Sequence, residues 1–131
     1  MDMKLDGYSG RRVLLNDMEW LRSFLVALAK ELGVTIVNGP TLVSFKEATP
    51  TLPEAGISGF VVIATSHMAF HTWPETGYVQ VDISSCKPFD PEAIRKMVIA
   101  FLNIERVEYI AVDVFRPAPP GLAKTAVAQG A

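Results

Sequence analysis

The chain reads as a single α+β domain: a two-layer sandwich in which one antiparallel sheet carries two helices on one face. Three observations lead there. Two segments, Met18–Leu32 and Pro91–Leu102, repeat apolar residues at the three-and-four spacing of a helical face. Around them run short segments that are rich in β-branched residues or alternate with period two. A length of 131 residues, half of them hydrophobic and a fifth charged, suits one folded domain with its own core.

Met3–Leu5 opens as a short strand, and Asp6-Gly7-Tyr8-Ser9-Gly10 reads as a turn. After Val13-Leu14-Leu15, Asn16 is the expected N-cap of the first helix, with Glu19 completing a capping-box-like pair. Met18, Leu21, Leu25, Leu28 and Leu32 form its apolar face, and Gly33 ends it as a left-handed cap. Val34–Val37 reads as a strand closed by an Asn38-Gly39-Pro40 turn, and Thr41–Phe45 as another strand. Residues 46–56 hold Pro50, Pro53 and Gly56 without apolar period, and read as a loop.

Ile57–Ala64 is uniformly apolar and is expected to be the central strand, without a solvated face along its whole length. Residues 66–76 read as a wide polar connection, and Gly77–Ile83 alternates as a half-buried strand. Asp90 as N-cap and Pro91 at the first helical position start the second helix, whose apolar face is Ile94, Met97, Val98, Phe101 and Leu102. Arg106–Phe115 alternates as a last strand with both faces partly covered. The domain is therefore expected over residues 1–115, with a disordered Pro- and Ala-rich tail at 116–131. Two helices on one sheet face leave the other face bare, and a homodimer is the simplest cover.

A net charge of -2 and a single adjacent basic pair, Arg11-Arg12, argue against a nucleic-acid partner. No apolar run is long enough to span a bilayer and the first residues lack a signal-peptide pattern, so the expectation is a cytoplasmic protein without membrane partners. A single cysteine, Cys86, allows no internal disulfide; it is either an ordinary buried thiol or a reactive one.

The segment Thr65–Glu75 places a serine, two histidines, a tryptophan and a carboxylate directly after the apolar run. Residues just beyond a rigid strand are well placed to line a site. Ser66 with His71 is a possible nucleophile and base, but the glycines of a nucleophile elbow are missing around Ser66. A zinc site from His67, His71 and Cys86 is weakly supported, because the intervening sequence does not look helical.

Several motifs in order carry a more specific likeness. Gly56-Ile57-Ser58-Gly59 followed by Phe60–Ala64, then Ser66-His67, then His71-Thr72-Trp73-Pro74-Glu75, Gly77-Tyr78, Val81-Asp82 and Ser85-Cys86-Lys87-Pro88 resemble the prokaryotic S-adenosylmethionine decarboxylase proenzymes. Leu5-Asp6-Gly7-Tyr8 extends the match towards the start of the chain.

The resemblance implies a self-processing enzyme whose cofactor is a pyruvoyl group generated from Ser66, with neither metal nor pyridoxal phosphate. Cleavage would fall between Thr65 and Ser66, with His71 removing the α-proton and Ser58 polarising the attacked carbonyl. In turnover the pyruvoyl carbonyl would form a Schiff base with S-adenosylmethionine, the small-molecule substrate, and act as electron sink as carbon dioxide leaves. The product, decarboxylated S-adenosylmethionine, serves spermidine synthesis. Cys86 matches the family's proton donor and Glu75 the carboxylate that binds the ribose hydroxyls, while Trp73 fits a structural role and His67 matches without an assigned one.

Two departures stand out. Thr65 replaces the usual glutamate before the processing serine, and Thr51-Leu52-Pro53-Glu54 offers no aromatic to stack on adenine. They leave room for the same chemistry on another amino acid, such as arginine or ornithine, or for an unprocessed, non-catalytic partner subunit.

Overall fold

A computed structural model describes residues 1–48 and 53–113. The element order is β1 (Asp2–Tyr8), α1 (Arg12–Leu15), α2 (Met18–Leu32), β2 (Ile36–Ala48), β3 (Pro53–Ile63), β4 (Ser66–Trp73), β5 (Tyr78–Ser84), α3 (Pro91–Leu102) and β6 (Arg106–Val112). Every paired neighbour in the six-stranded sheet is antiparallel, in the order β2-β3-β4-β5-β1-β6. The α+β sandwich expected from the sequence is therefore the architecture, with the four-residue turn α1 added to the two main helices.

Period-two alternation sorts the sheet into two faces. Met3 and Leu5 of β1, Ile57, Val61 and Ile63 of β3, Met68 and Phe70 of β4, and Val79, Val81 and Ile83 of β5 are buried. They meet Leu21, Phe24, Leu25 and Leu28 of α2 and Ile94, Val98 and Leu102 of α3 in one core. α2 packs over β2 and β3, and α3 over β1 and β6. Among the described residues no helix packs on the opposite face, which presents Lys4, Ser58, Phe60, His67, His71, Trp73, Gln80 and Ile110. Phe60 on this face is 46% exposed and Ile110 70% exposed.

The helix ends follow local chemistry. Asp90 accepts from the Glu92 N–H and Pro91 opens α3, as expected. Gly33 closes α2 at φ 67°, a conformation glycine adopts without a Cβ penalty. The α2 N-cap is Asp17, not Asn16: Asp17 accepts from the Trp20 N–H, while Asn16 terminates the preceding turn α1. Because Arg12–Leu15 makes a helical turn of its own, the cap moves one residue along.

Four strand boundaries differ from the expectation for one reason: pairing with a neighbour overrides local composition. The anticipated turn over Asp6–Gly10 is shortened, because Asp6, Gly7 and Tyr8 continue to pair with β6. Asn38-Gly39-Pro40 is not a turn between two strands but an irregularity within the single strand β2, with Asn38 opposite Val62 and Thr41 opposite Phe60. The expected loop at 46–56 is largely hairpin, since pairing runs out to Ala48 opposite Pro53. The polar connection from residue 66 is the strand β4, whose outward residues are the polar ones. β3 lies second from the edge, and Phe60 gives it a partly solvated face. Val114, Phe115 and the expected tail at 116–131, together with Pro50 and Leu52, fall outside the described residues.

Candidate active site

β3 and β4 are joined by a two-residue turn, Ala64-Thr65, with Ile63 paired to Ser66. Thr65 has φ 64°, in the left-handed region. A β-branched residue there is strained, at a cost of roughly 1–2 kcal/mol. The Thr65 hydroxyl donates back to the Ala64 carbonyl at 2.6 Å. The strained residue is the one whose carbonyl Ser66 was expected to attack.

The segment after β5 closes over this turn. The Cys86 backbone N–H donates to Ser66 Oγ at 2.9 Å, and the Cys86 thiol donates to the Thr65 carbonyl oxygen at 3.4 Å. Cys86 is exposed, so the buried-spectator reading of this thiol does not hold. Thr65, Ser66 and Cys86 line a cavity of about 110 Å³ together with Lys87, Val34 and Thr35. The loop is held by Ser85, which is buried and whose Oγ accepts from the Lys87 N–H at 3.1 Å.

The remaining candidates gather at the other end of β4. Ser58 and His71 are opposite each other on β3 and β4, and Ser58 Oγ lies 2.7 Å from His71 Nδ1. If Nδ1 carries the proton and donates to Ser58, Nε2 is left as a free base. Beyond β4, the Arg12 guanidinium donates to Glu75 Oε1 at 2.6 Å in an exposed ion pair. Trp73 is half-buried and stacks on Tyr78 at 5.0 Å, which stacks on Tyr8 at 5.4 Å, with the Arg106 guanidinium over Tyr8. Desolvation raises the Tyr78 phenol above its usual value, so it stays protonated and donates to Asp6 at 2.9 Å.

Ser66 and His71 therefore do not meet within one protomer. Five residues of extended chain separate them, roughly 16 Å. They also have opposite parity on β4: Ser66 shares the phase of the buried Met68 and Phe70, and His71 lies on the bare face. Ser58, paired with His71, is equally far from the Thr65 carbonyl; the thiol of Cys86 occupies the polarising position expected of Ser58. The zinc triad is not assembled either. His67 lies against Phe60 on the bare face, His71 is two pleat repeats further along the same face, and Cys86 is at the turn.

Two contributions were invisible in the sequence. The backbone N–H of Cys86 belongs to no motif. Thr72, fully buried, accepts from the Ile57 N–H at 3.0 Å and donates to the Leu15 carbonyl at 2.8 Å, tying α1 to the hairpin beneath His71. Only its inward phase between Phe70 and Pro74 could have marked it.

Strain at Thr65 is measurable on a continuous backbone. In a chain that also carries Ser66→Ala, Thr65→Gly is expected to raise stability to denaturant by about 0.5–1 kcal/mol, the left-handed penalty less the entropy that glycine adds to the unfolded chain. A loss of stability would mean that Thr65 is not strained.

A family profile described as S-adenosylmethionine decarboxylase matches residues 2–116. Among curated relatives, an S-adenosylmethionine decarboxylase proenzyme of Thermosipho melanesiensis is 32% identical over 107 residues, covering 79% of this chain and 76% of the relative. A proenzyme of the same name from Thermodesulfovibrio yellowstonii is 40% identical over 87 residues, 66% of this chain and 58% of the relative. One from Pseudomonas paraeruginosa is 39% identical over 71 residues, 54% of this chain. The matched segments thus span 58% and 39% of the lengths of the latter two. The crystal structure of the adenosylmethionine decarboxylase from Aquifex aeolicus superposes with a TM-score of 0.62 at 23% identity, covering 89% of this chain and 95% of that one, a likeness of fold. By the profile match and by the Thermosipho relative, the chain belongs to the S-adenosylmethionine decarboxylase family.

Proposed function

We propose that this chain is a cytoplasmic proenzyme that cleaves itself between Thr65 and Ser66 and then decarboxylates S-adenosylmethionine, supplying the aminopropyl donor for spermidine. The observation that carries the proposal is the arrangement at the β3–β4 turn: a strained residue, its carbonyl polarised by the Cys86 thiol, and the neighbouring serine hydroxyl held by the Cys86 N–H. Those are the elements an N-to-O acyl shift needs. Ser66 Oγ attacks the Thr65 carbonyl carbon, the thiol stabilises the oxygen on which negative charge develops, and collapse breaks the Thr65–Ser66 C–N bond; the hydroxyl proton passes to the Ser66 nitrogen, giving an ester and a free amine in place of the amide. Removal of the Ser66 α-proton then splits the Cβ–O bond to give dehydroalanine, whose imine tautomer is hydrolysed by water, releasing ammonia and leaving the pyruvoyl group.

The base for that elimination is His71 of a second protomer. Within one chain His71 is too far away, whereas the bare sheet face on which it lies offers Phe60, Val43 and Ile110 as apolar surface for burial. Sheets packed face to face lie about 10 Å apart. A two-fold axis across the strands would reverse one β4 over the other, carrying the Ser58–His71 end of one copy to the Ser66 end of its mate. With Ser58 holding Nδ1, Nε2 is the nitrogen left to take the α-proton.

Once formed, the pyruvoyl carbonyl supplies the electron sink for decarboxylation. The chain's own groups do the rest. Cys86, already within hydrogen-bond reach of the reacting residues, delivers the proton that replaces carbon dioxide. Glu75, at the same end as His71, accepts from the ribose hydroxyls and exchanges its exposed pairing with Arg12 for them. Donors placed on both the Thr65 carbonyl oxygen and Ser66 Oγ favour this reading over an unprocessed partner subunit, for which they have no use.

Intact mass under denaturing conditions tests the proposal. The wild type should give two fragments parting between Thr65 and Ser66, the second lighter by the conversion of serine to pyruvoyl, and should release carbon dioxide from S-adenosylmethionine. Ser66→Ala should remain one chain without activity. Cys86→Ala should retain some cleavage and lose at least about a hundredfold in turnover; an undiminished rate would remove Cys86 from the proton-donor role. Release of carbon dioxide only from arginine or ornithine would keep the chemistry and change the substrate.

A further inference from the structure

The cavity at the cleavage turn is lined by one basic side chain, and the reaction proposed above creates a negative charge beside it. Lys87 lines the same cavity as Thr65 and Ser66, and its ammonium donates to the Gly33 carbonyl at 3.2 Å, at the C-terminal end of α2. No carboxylate among the described residues pairs with it. Before cleavage there is no anion at the turn: Thr65 is neutral, where a glutamate would already carry a charge.

Elimination changes this. The base takes the Ser66 α-proton, the electron pair of that bond forms the Cα–Cβ double bond, and the Cβ–O bond breaks with its pair passing to oxygen. The leaving group is the carboxylate of Thr65. Its two oxygens are the former Thr65 carbonyl oxygen and the former Ser66 Oγ, the atoms that already accept from the Cys86 thiol and the Cys86 N–H. Two donors thus await the carboxylate, and among the described residues lining the cavity the Lys87 ammonium is the one cation that can balance it.

We propose that Lys87 is the counter-charge for this leaving carboxylate: it swings from the Gly33 carbonyl to the new Thr65 terminus, accelerates ester cleavage, and then holds that terminus beside the cavity. The inference rests on the self-processing reading. The cation is exposed and therefore screened, so the expected effect is about tenfold on elimination, below that of a buried oxyanion donor.

The test uses full-length wild type, Lys87→Met, Lys87→Gln and Lys87→Arg, followed by intact mass with and without hydroxylamine, which cleaves esters but spares amides. Lys87→Met and Lys87→Gln should process about tenfold more slowly and accumulate a hydroxylamine-sensitive species that splits into residues 1–65 as hydroxamate and a second fragment with unmodified Ser66 at its start. Lys87→Arg should restore processing. The glutamine variant keeps a donor for Gly33 and separates charge from that hydrogen bond; it also serves if the methionine variant fails to fold. Wild-type cleavage together with normal, ester-free cleavage in Lys87→Gln overturns this proposal alone. A folded Lys87→Gln that stays whole and hydroxylamine-resistant also overturns it, placing Lys87 before the ester. A wild type that never cleaves overturns the self-processing reading and this inference with it.

Discussion

The antiparallel pairing of β3 with β4 sets the position of almost every group with chemical potential in this chain. At one end the pairing of Ile63 with Ser66 leaves only Ala64 and Thr65 to turn the chain, which forces Thr65 into the left-handed region and puts its carbonyl under the Cys86 thiol. At the other end the same ladder sets Ser58 opposite His71. A one-residue slip in register would send His71 into the core and Phe70 to solvent, so the buried Met68, Phe70 and Thr72 hold the geometry of both clusters by holding the phase. Glycine supports the close approach: a Cβ at Gly59 would lie 2.3 Å from the Phe70 ring.

That ladder also keeps the two clusters apart. A strand is stiff over its length, and no rotamer of His71 spans the distance to Ser66. The division matches the uneven covering of the sheet. One face is sealed by α2 and α3, while the other exposes Phe60, Val43 and Ile110 beside His71 and Trp73. Under the proposed function, a surface that is apolar in part and carries Ser58 and His71 is suited to a second copy that brings Ser66 and Cys86.

Much of this was legible in the sequence wherever the determinant is local. The spacing of Met18, Leu21, Leu25, Leu28 and Leu32, the Gly33 stop and the Asp90-Pro91 start specify two helices without reference to anything else in the chain. Ser58, Ser66, His71 and Cys86 stood out through their motifs. Their partition between two ends and two faces did not, because face and register are tertiary properties. The same limit hid the strand at Ser66–Trp73, where outward polar residues resembled a connection, and the bulged passage through Gly39-Pro40, where β3 keeps the pairing going. Thr65 gave no sign of its conformation, since glycine or asparagine is the usual occupant of such a turn.

The most direct test of a site divided between protomers is complementation. Ser66→Ala and His71→Ala chains, each uncleaved alone, are co-expressed with different tags and their masses read after purification of the mixed species. A divided site predicts cleavage of the His71→Ala chain, which keeps Ser66 and receives its base from the other copy, while the Ser66→Ala chain stays whole. If neither chain is cleaved in a mixed dimer that forms, the base is not supplied in trans and the two-copy account is wrong.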